Sequence, residues 1–193
     1  MRRICVFCGS NAGASPVYAD VARALAHELA RRGMGLVYGG GRVGLMGVVA
    51  DAALAAGVEV IGVIPQSLVA LEVGHRGLRD LRVVRSMHER KALMAELSDG
   101  FVALPGGYGT LDEFCEVLTW AQLGLHRKPC AALNVNRYFD PLLALLDHAV
   151  AERFLSRAHR QFILVGAEPA PLMDAMLAYR PIDTAKWLAE EDV

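Results

Sequence analysis

The sequence lacks most of what marks a specialised protein class. It has no excess of either charge: 20 Lys and Arg stand against 21 Asp and Glu, a net charge of −1 with the signs mixed throughout. No basic stripe of the kind that grips nucleic acid is present, so nucleic acid is not expected as a partner and small molecules are. The apolar runs are too short and too often broken by charge to cross a bilayer, so no membrane association is expected. No cleavage-site pattern follows Met1-Arg2-Arg3-Ile4, and this stretch reads as a first strand rather than a signal peptide. Cysteine is scarce, with four residues at 5, 8, 115 and 130. Cys5 and Cys8 form a CxxC, but no second pair stands at metal-site spacing, so no metal is expected. The expectation is buried thiols in a reducing cytoplasm. Repeats, low-complexity tracts and linkers are absent too.

What remains is a chain that is 54% apolar and 21% charged, which excludes disorder. Its 193 residues suit one domain with a substantial core. Residues 1–180 are expected to form it, with 181–193 as a C-terminal tail. Short apolar runs alternate with longer amphipathic ones. Strands are expected over Arg3–Cys8, Gly35–Tyr38, Glu59–Ile64, Leu81–Val84, Gly100–Leu104, Pro129–Leu133 and Phe162–Val165. Helices are expected near Pro16–Arg32, Gly44–Ala56, Met87–Leu97, Leu111–Leu123, Pro141–Arg153 and Ala170–Tyr179. Phe101-Val102-Ala103-Leu104 is apolar without interruption, as strands covered on both faces are. This alternation predicts an α/β fold: a doubly wound, mostly parallel, Rossmann-like sheet of about seven strands. The irregular stretch from Pro65 to Asp80 is a candidate mobile loop.

Ligands of open α/β sheets bind outside the carboxyl ends of the strands. Here those ends carry Gly9-Ser10, Gly39-Gly40-Gly41, Pro65, Ser86, Pro105-Gly106-Gly107 and Asn134. Gly39, Gly41 and Gly44 formally match GxGxxG. A dinucleotide, however, requires an acid at the far end of the next strand. That strand begins with Glu59 and ends at Ile64-Pro65, so a nicotinamide or flavin oxidoreductase is disfavoured. Gly106-Gly107-Tyr108-Gly109-Thr110 follows a strand and opens a helix, an arrangement whose amides and helix dipole suit a phosphate. No Lys follows the last glycine, so it is not a Walker A loop. Asp112 and Glu113 are expected in the first helical turn, where Glu113 can face a sugar attached to the phosphate.

Ser86-Met87-His88-Glu89-Arg90-Lys91 opens another helix, with Ser86 and Glu89 spaced as a capping box. Arg90 and Lys91 sit near strand ends, placed to clamp a phosphate or neutralise transition-state charge.

Together, Met87-His88-Glu89-Arg90-Lys91 and Pro105-Gly106-Gly107-Tyr108-Gly109-Thr110-Leu111-Asp112-Glu113 resemble the MHxRK and PGGxGTxxE motifs of the LONELY GUY (LOG) family. The resemblance extends to Val6–Ser10, Tyr38–Gly41, Gly44–Gly47, Val63–Pro65 and Thr119–Gly124. It implies hydrolysis of the N-glycosidic bond of N6-substituted adenosine 5′-monophosphates, and of AMP, releasing base and ribose 5-phosphate without a cofactor. Arg90 and Glu113 match the pair regarded as catalytic. The turn Gly106, Gly107, Tyr108, Gly109 and Thr110 would hold the 5′-phosphate. Glu72, Lys91, Asp112 and Thr119 match substrate-contacting positions, and Leu111, Gly9, Ser10, Gly40 and Gly41 complete the expected set. Asp112 departs from the Glu often found there. Family members were long labelled lysine decarboxylases, for which Lys91 sits in the wrong kind of loop.

The helix over Leu111–Leu123 is apolar on most faces, which fits a central position or a symmetric interface. The resemblance implies a homodimer with sites near that interface. The alternative activity is a nucleotide-binding module that uses the same loops without turnover.

Overall fold

The computed structural model describes residues 1–70, 74, 75 and 77–182. Within them a seven-stranded, all-parallel sheet carries helices on both faces. The strands are β1 (Arg3–Phe7), β2 (Gly35–Tyr38), β3 (Val60–Pro65), β4 (Asp80–Val84), β5 (Gly100–Ala103), β6 (Cys130–Leu133) and β7 (Ile163–Gly166). The helices are α1 (Pro16–Arg31), α2 (Gly44–Ala55), α3 (Gln66–Ala70), α4 (Met87–Glu96), α5 (Tyr108–Gln122), α6 (Asp140–Ala151), α7 (Arg157–Arg160) and α8 (Pro169–Ala178). A 3-10 turn spans Val135–Arg137. The doubly wound reading is therefore correct, and each strand falls within one residue of its expected ends. Residues 183–193 of the expected tail lie outside the described residues.

The sheet order is β4-β3-β2-β1-β5-β6-β7. The chain steps outward from β1 to β4, returns through α4 to β5 beside β1, and then steps outward the other way. The winding reverses between β1 and β5, and open α/β sheets bind ligands in the crevice above such a point.

Alternation along the central strands explains the two cores. Ile4 and Val6 of β1 face α1, α2 and α8, where Leu25, Leu29, Leu45, Val49 and Met173 are buried. Cys5 and Phe7 face α4, α5 and α6, beside Met94, Phe114, Val117 and Phe139. Cys5 and Cys8 thus belong to opposite cores, and burial pushes both thiols up. A CxxC split across a sheet cannot act as a dithiol; these are core residues.

The start of α1 is set by Pro16, whose missing N–H and fixed φ suit a first helical turn. Ser86 caps α4 by accepting from the Glu89 amide at 3.1 Å. Glu89 reaches back to the Arg85 amide at 2.8 Å, so the capping box closes one residue earlier than its usual form. This cap fixes where α4 begins, and thereby where Arg90 points.

Candidate active site at the strand ends

The site is built on glycine turns locked to one another. The Gly9 amide donates to the Pro105 carbonyl at 3.0 Å, across the β1/β5 reversal. The Leu45 amide donates to the Gly9 carbonyl, also at 3.0 Å. Gly44 has φ 58°, a left-handed conformation natural to glycine, and a Cβ there would overlap the backbone of Ser10 and Asn11. Gly40 gives its carbonyl to the His75 amide at 2.9 Å, and Gly41 forms a bridge with Gly74. Gly40 and Gly41 therefore pack against His75 and Gly74, while Gly39 stays open toward α4.

The turn after β5 differs. A Cβ at Gly106 would overlap Thr110, so this glycine serves packing. At Gly107 and Gly109 a Cβ would meet no protein atom within 4 Å, and both residues are exposed. Helix α5 begins at Tyr108 with Gly107 as its N-cap, three residues earlier than the sequence suggests. Gly109 and Thr110 are helical rather than loop. The first amides of α5 lack intrahelical acceptors and carry the positive end of its dipole. Asp112 and Glu113 accordingly fall in the second turn, not the first, beyond the reach of a simple dipole-complementing role.

Arg90 and Glu113 meet above the strand ends. The Arg90 Nη1 donates to Glu113 Oε1 at 2.5 Å, with the two side chains 8% and 9% exposed. Arg90 Nε donates to the Val63 carbonyl at 3.1 Å and Nη2 to the Gly39 carbonyl at 3.4 Å. Val63 lies in the C-terminal half of β3 and Gly39 directly follows β2, so the sheet's own backbone aims the guanidinium. Burial pushes the Glu113 carboxyl above its ordinary range, with Arg90 pulling the other way.

Lys91 lies between Asp112 and Glu116, 3.1 Å from each. Burial opposes its charge, but the two carboxylates win and raise its pKa. An amine held as ammonium is a poor Schiff-base former, which weighs against lysine-based chemistry. Thr119 stands elsewhere: its hydroxyl donates to the Cys115 carbonyl at 2.8 Å, and it lines a groove with Leu118, Gln122, Leu142 and Leu146. Leu111 is half-buried against the α4–α5–α6 core, and Ser10 is exposed beside Gly44. Glu72 lies outside the described residues.

Two contributors escaped sequence reasoning. Glu116 shares Lys91, a link hidden because helical spacing does not reveal which helix is opposite. Tyr138, four residues past the strand-end Asn134, donates its hydroxyl to the Gly106 carbonyl at 2.6 Å. Its place just beyond a strand end was the available signal. Among the described residues no group of three or more His, Cys, Asp or Glu is arranged to hold a metal ion. No helix among them is long and apolar enough to cross a membrane.

The family model described as "Possible lysine decarboxylase" matches residues 46–176. A cytokinin riboside 5′-monophosphate phosphoribohydrolase of Rhodococcoides fascians is 52% identical over 165 residues, covering 85% of this chain and 83% of the relative. A protein of that name from Arabidopsis thaliana is 48% identical over 180 residues, covering 93% and 83%. A probable one from Oryza sativa subsp. japonica is 51% identical over 177 residues, covering 92% and 79%. Among solved structures, the molybdenum cofactor binding protein of Rippkaea orientalis superposes with a TM-score of 0.70 at 22% identity, covering 92% of this chain and 96% of that one, a likeness of fold. With about half of the aligned residues identical to each of these phosphoribohydrolases over most of both chains, and the two motifs meeting in one crevice, the chain belongs to the LOG family.

Proposed function

We propose that this protein hydrolyses the N-glycosidic bond of cytokinin ribotides, N6-substituted adenosine 5′-monophosphates, and of AMP, to free base and ribose 5-phosphate. The observation that carries this reading is the buried Arg90–Glu113 pair, 2.5 Å apart, one helical turn from the exposed amides of Gly107, Tyr108 and Gly109. The names of the relatives support the reaction, and the geometry of the pair supports the roles given to its residues.

The amides at the α5 start hold the 5′-phosphate, remote from the bond that breaks, and so orient the ribose. Glycoside cleavage passes through an oxocarbenium-like sugar. The Glu113 carboxylate stabilises that cation and positions water, whose oxygen bonds to the anomeric carbon as the bond to the base nitrogen breaks. The bonding electrons leave with the base, which takes up one proton as the attacking water loses one. A guanidinium is a poor proton donor, so the part of Arg90 is electrostatic: it favours the Glu113 carboxylate against burial and fixes its direction. Lys91, Asp112 and the strand-end residues contact the substrate around this centre.

The chain acts as a homodimer in this reading. Helix α6 has no fully buried residue although it carries Leu142, Leu143, Leu145 and Leu146, and Phe154 just beyond it is 87% exposed. Apolar surface of this kind favours a second copy. Four free thiols agree with a reducing, cytoplasmic setting.

Purified protein incubated with AMP or isopentenyladenosine monophosphate is expected to release free base and ribose 5-phosphate. Tight binding of both nucleotides without product would replace this reading with a non-hydrolytic binding module, and no binding would end the nucleotide reading altogether.

A further inference from the structure

An anion-binding turn needs its amides forward and its carbonyls turned away, because a carbonyl oxygen facing a phosphate repels it. In the Pro105–Gly107 turn each carbonyl is already taken. The Pro105 carbonyl accepts from the Gly9 amide at 3.0 Å, and the Gly107 carbonyl from the Leu111 amide at 3.1 Å. The Gly106 carbonyl, between them, accepts from a side chain, the Tyr138 hydroxyl at 2.6 Å.

Considerable structure is devoted to placing that hydroxyl. Asn136 and Arg137 both adopt left-handed backbone conformations, φ 51° and 57°, which non-glycine residues hold only when their surroundings impose them. Asn134 braces the bend from below: its Oδ1 accepts from the Phe139 amide at 2.7 Å and its Nδ2 donates to Asp140 at 2.8 Å. The Tyr138 ring packs edge-on against Tyr18 and Phe139. Tyr18 in turn packs under Gly13 of the loop that follows β1.

From this geometry we infer that Tyr138 is a positioning residue for the phosphate end of the substrate, acting through the Gly106 carbonyl. By holding that oxygen back it keeps the Gly106–Gly107 peptide oriented, so that the Gly107, Tyr108 and Gly109 amides converge on one point. The inference rests on the reading of this turn as the phosphate site. It assigns Tyr138 to ground-state binding of the phosphate and not to bond cleavage.

Tyr138→Phe keeps the ring contacts and deletes only the donor. Ribose 5-phosphate binding by calorimetry, adenosine binding by the same method, and steady-state kinetics with AMP separate the possibilities. The expected result is a ribose 5-phosphate Kd and an AMP KM raised about three- to tenfold, the equivalent of one hydrogen bond. The kcat, the adenosine Kd and the Tm should stay near wild type. Equal ribose 5-phosphate affinity in the two proteins overturns the inference while leaving the phosphate site intact. A joint fall in adenosine affinity and Tm also overturns it, by showing a general structural role. If ribose 5-phosphate fails to bind the wild-type protein, the phosphate reading itself falls and takes this inference with it.

Discussion

Two glutamates in this molecule have the same exposure and the same kind of partner, yet opposite electrostatics. Glu28 and Glu113 are each 8% exposed and each paired with arginine. Glu28 accepts from Arg31 at 2.8 and 2.6 Å and from Arg32 at 2.5 Å, and is held down at about 2. Glu113 accepts from one guanidinium nitrogen, and burial pushes it up. The difference is in the number of charged donors and the depth of the surroundings, not in the pairing itself. Glu28 is a staple, fastening the end of α1 through Arg32 to Asp174 of α8. Glu113 keeps little solvation and spare lone pairs, as the role proposed for it requires.

The sharpest way to test that contrast is Glu113→Gln, expected to lower kcat by about a thousandfold and to lower the Tm, because the buried Arg90 cation loses its carboxylate. Chromatography of released base and calorimetry read the two effects, and activity within tenfold of wild type would remove Glu113 from the mechanism. Arg90→Ala is expected to cost about a hundred- to a thousandfold in turnover, and to lower stability as well, because it strands a buried carboxylate. In the Glu113→Gln background the same substitution should cost less stability, and a double-mutant cycle measures the coupling.

The mirror experiment is Glu28→Gln, with activity retained and a Tm lower by about 2–4 °C, the shift for about 1 kcal/mol at this chain length. Its pH dependence follows from the direction of the shift. The Glu28 pKa is depressed on folding, so its contribution is complete above the unfolded value and fades as pH falls toward about 2. The Tm gap between wild type and Glu28→Gln should close over that window. Glu113 behaves oppositely: its pKa is raised, so ionising it costs stability as pH rises past the ordinary glutamate value. The gap between wild type and Glu113→Gln should shift against the wild type over that rise. The acid limb of kcat/KM should lie above the ordinary glutamate range. Smallest of all is Asp112→Ala, removing a 60% exposed partner of Lys91 that Glu116 also holds; a loss of about threefold in kcat/KM is expected.

The strands were legible because buried parallel strands are written as uninterrupted apolar runs, and β1, β2, β3, β5 and β6 carry them. Three features were not. Helix α3, helix α7 and the 3-10 turn at Val135–Arg137 are five residues or fewer, too short to show a period. The start of α5 was hidden because Gly107, Tyr108 and Gly109 are poor helix formers, and an N-terminus presenting amides needs no polar cap residue to announce it. Within the site, Arg90 and Glu113 were nominated by motif, but the grip of Val63 and Gly39 on Arg90 was invisible. Backbone carbonyls accept regardless of the residue that bears them.

Gly39 shows how such an invisible contact constrains the chain's history. Its missing Cβ is the space occupied by the Arg90 guanidinium, contributed from 51 positions downstream. An alanine at position 39 would oblige the Arg90 guanidinium to shift. A lineage that lost Arg90 first would be free to fill the gap. Positions 39 and 90 are therefore coupled across the sheet: a side chain at 39 displaces the tip of this arginine, and with it disturbs the pairing to Glu113.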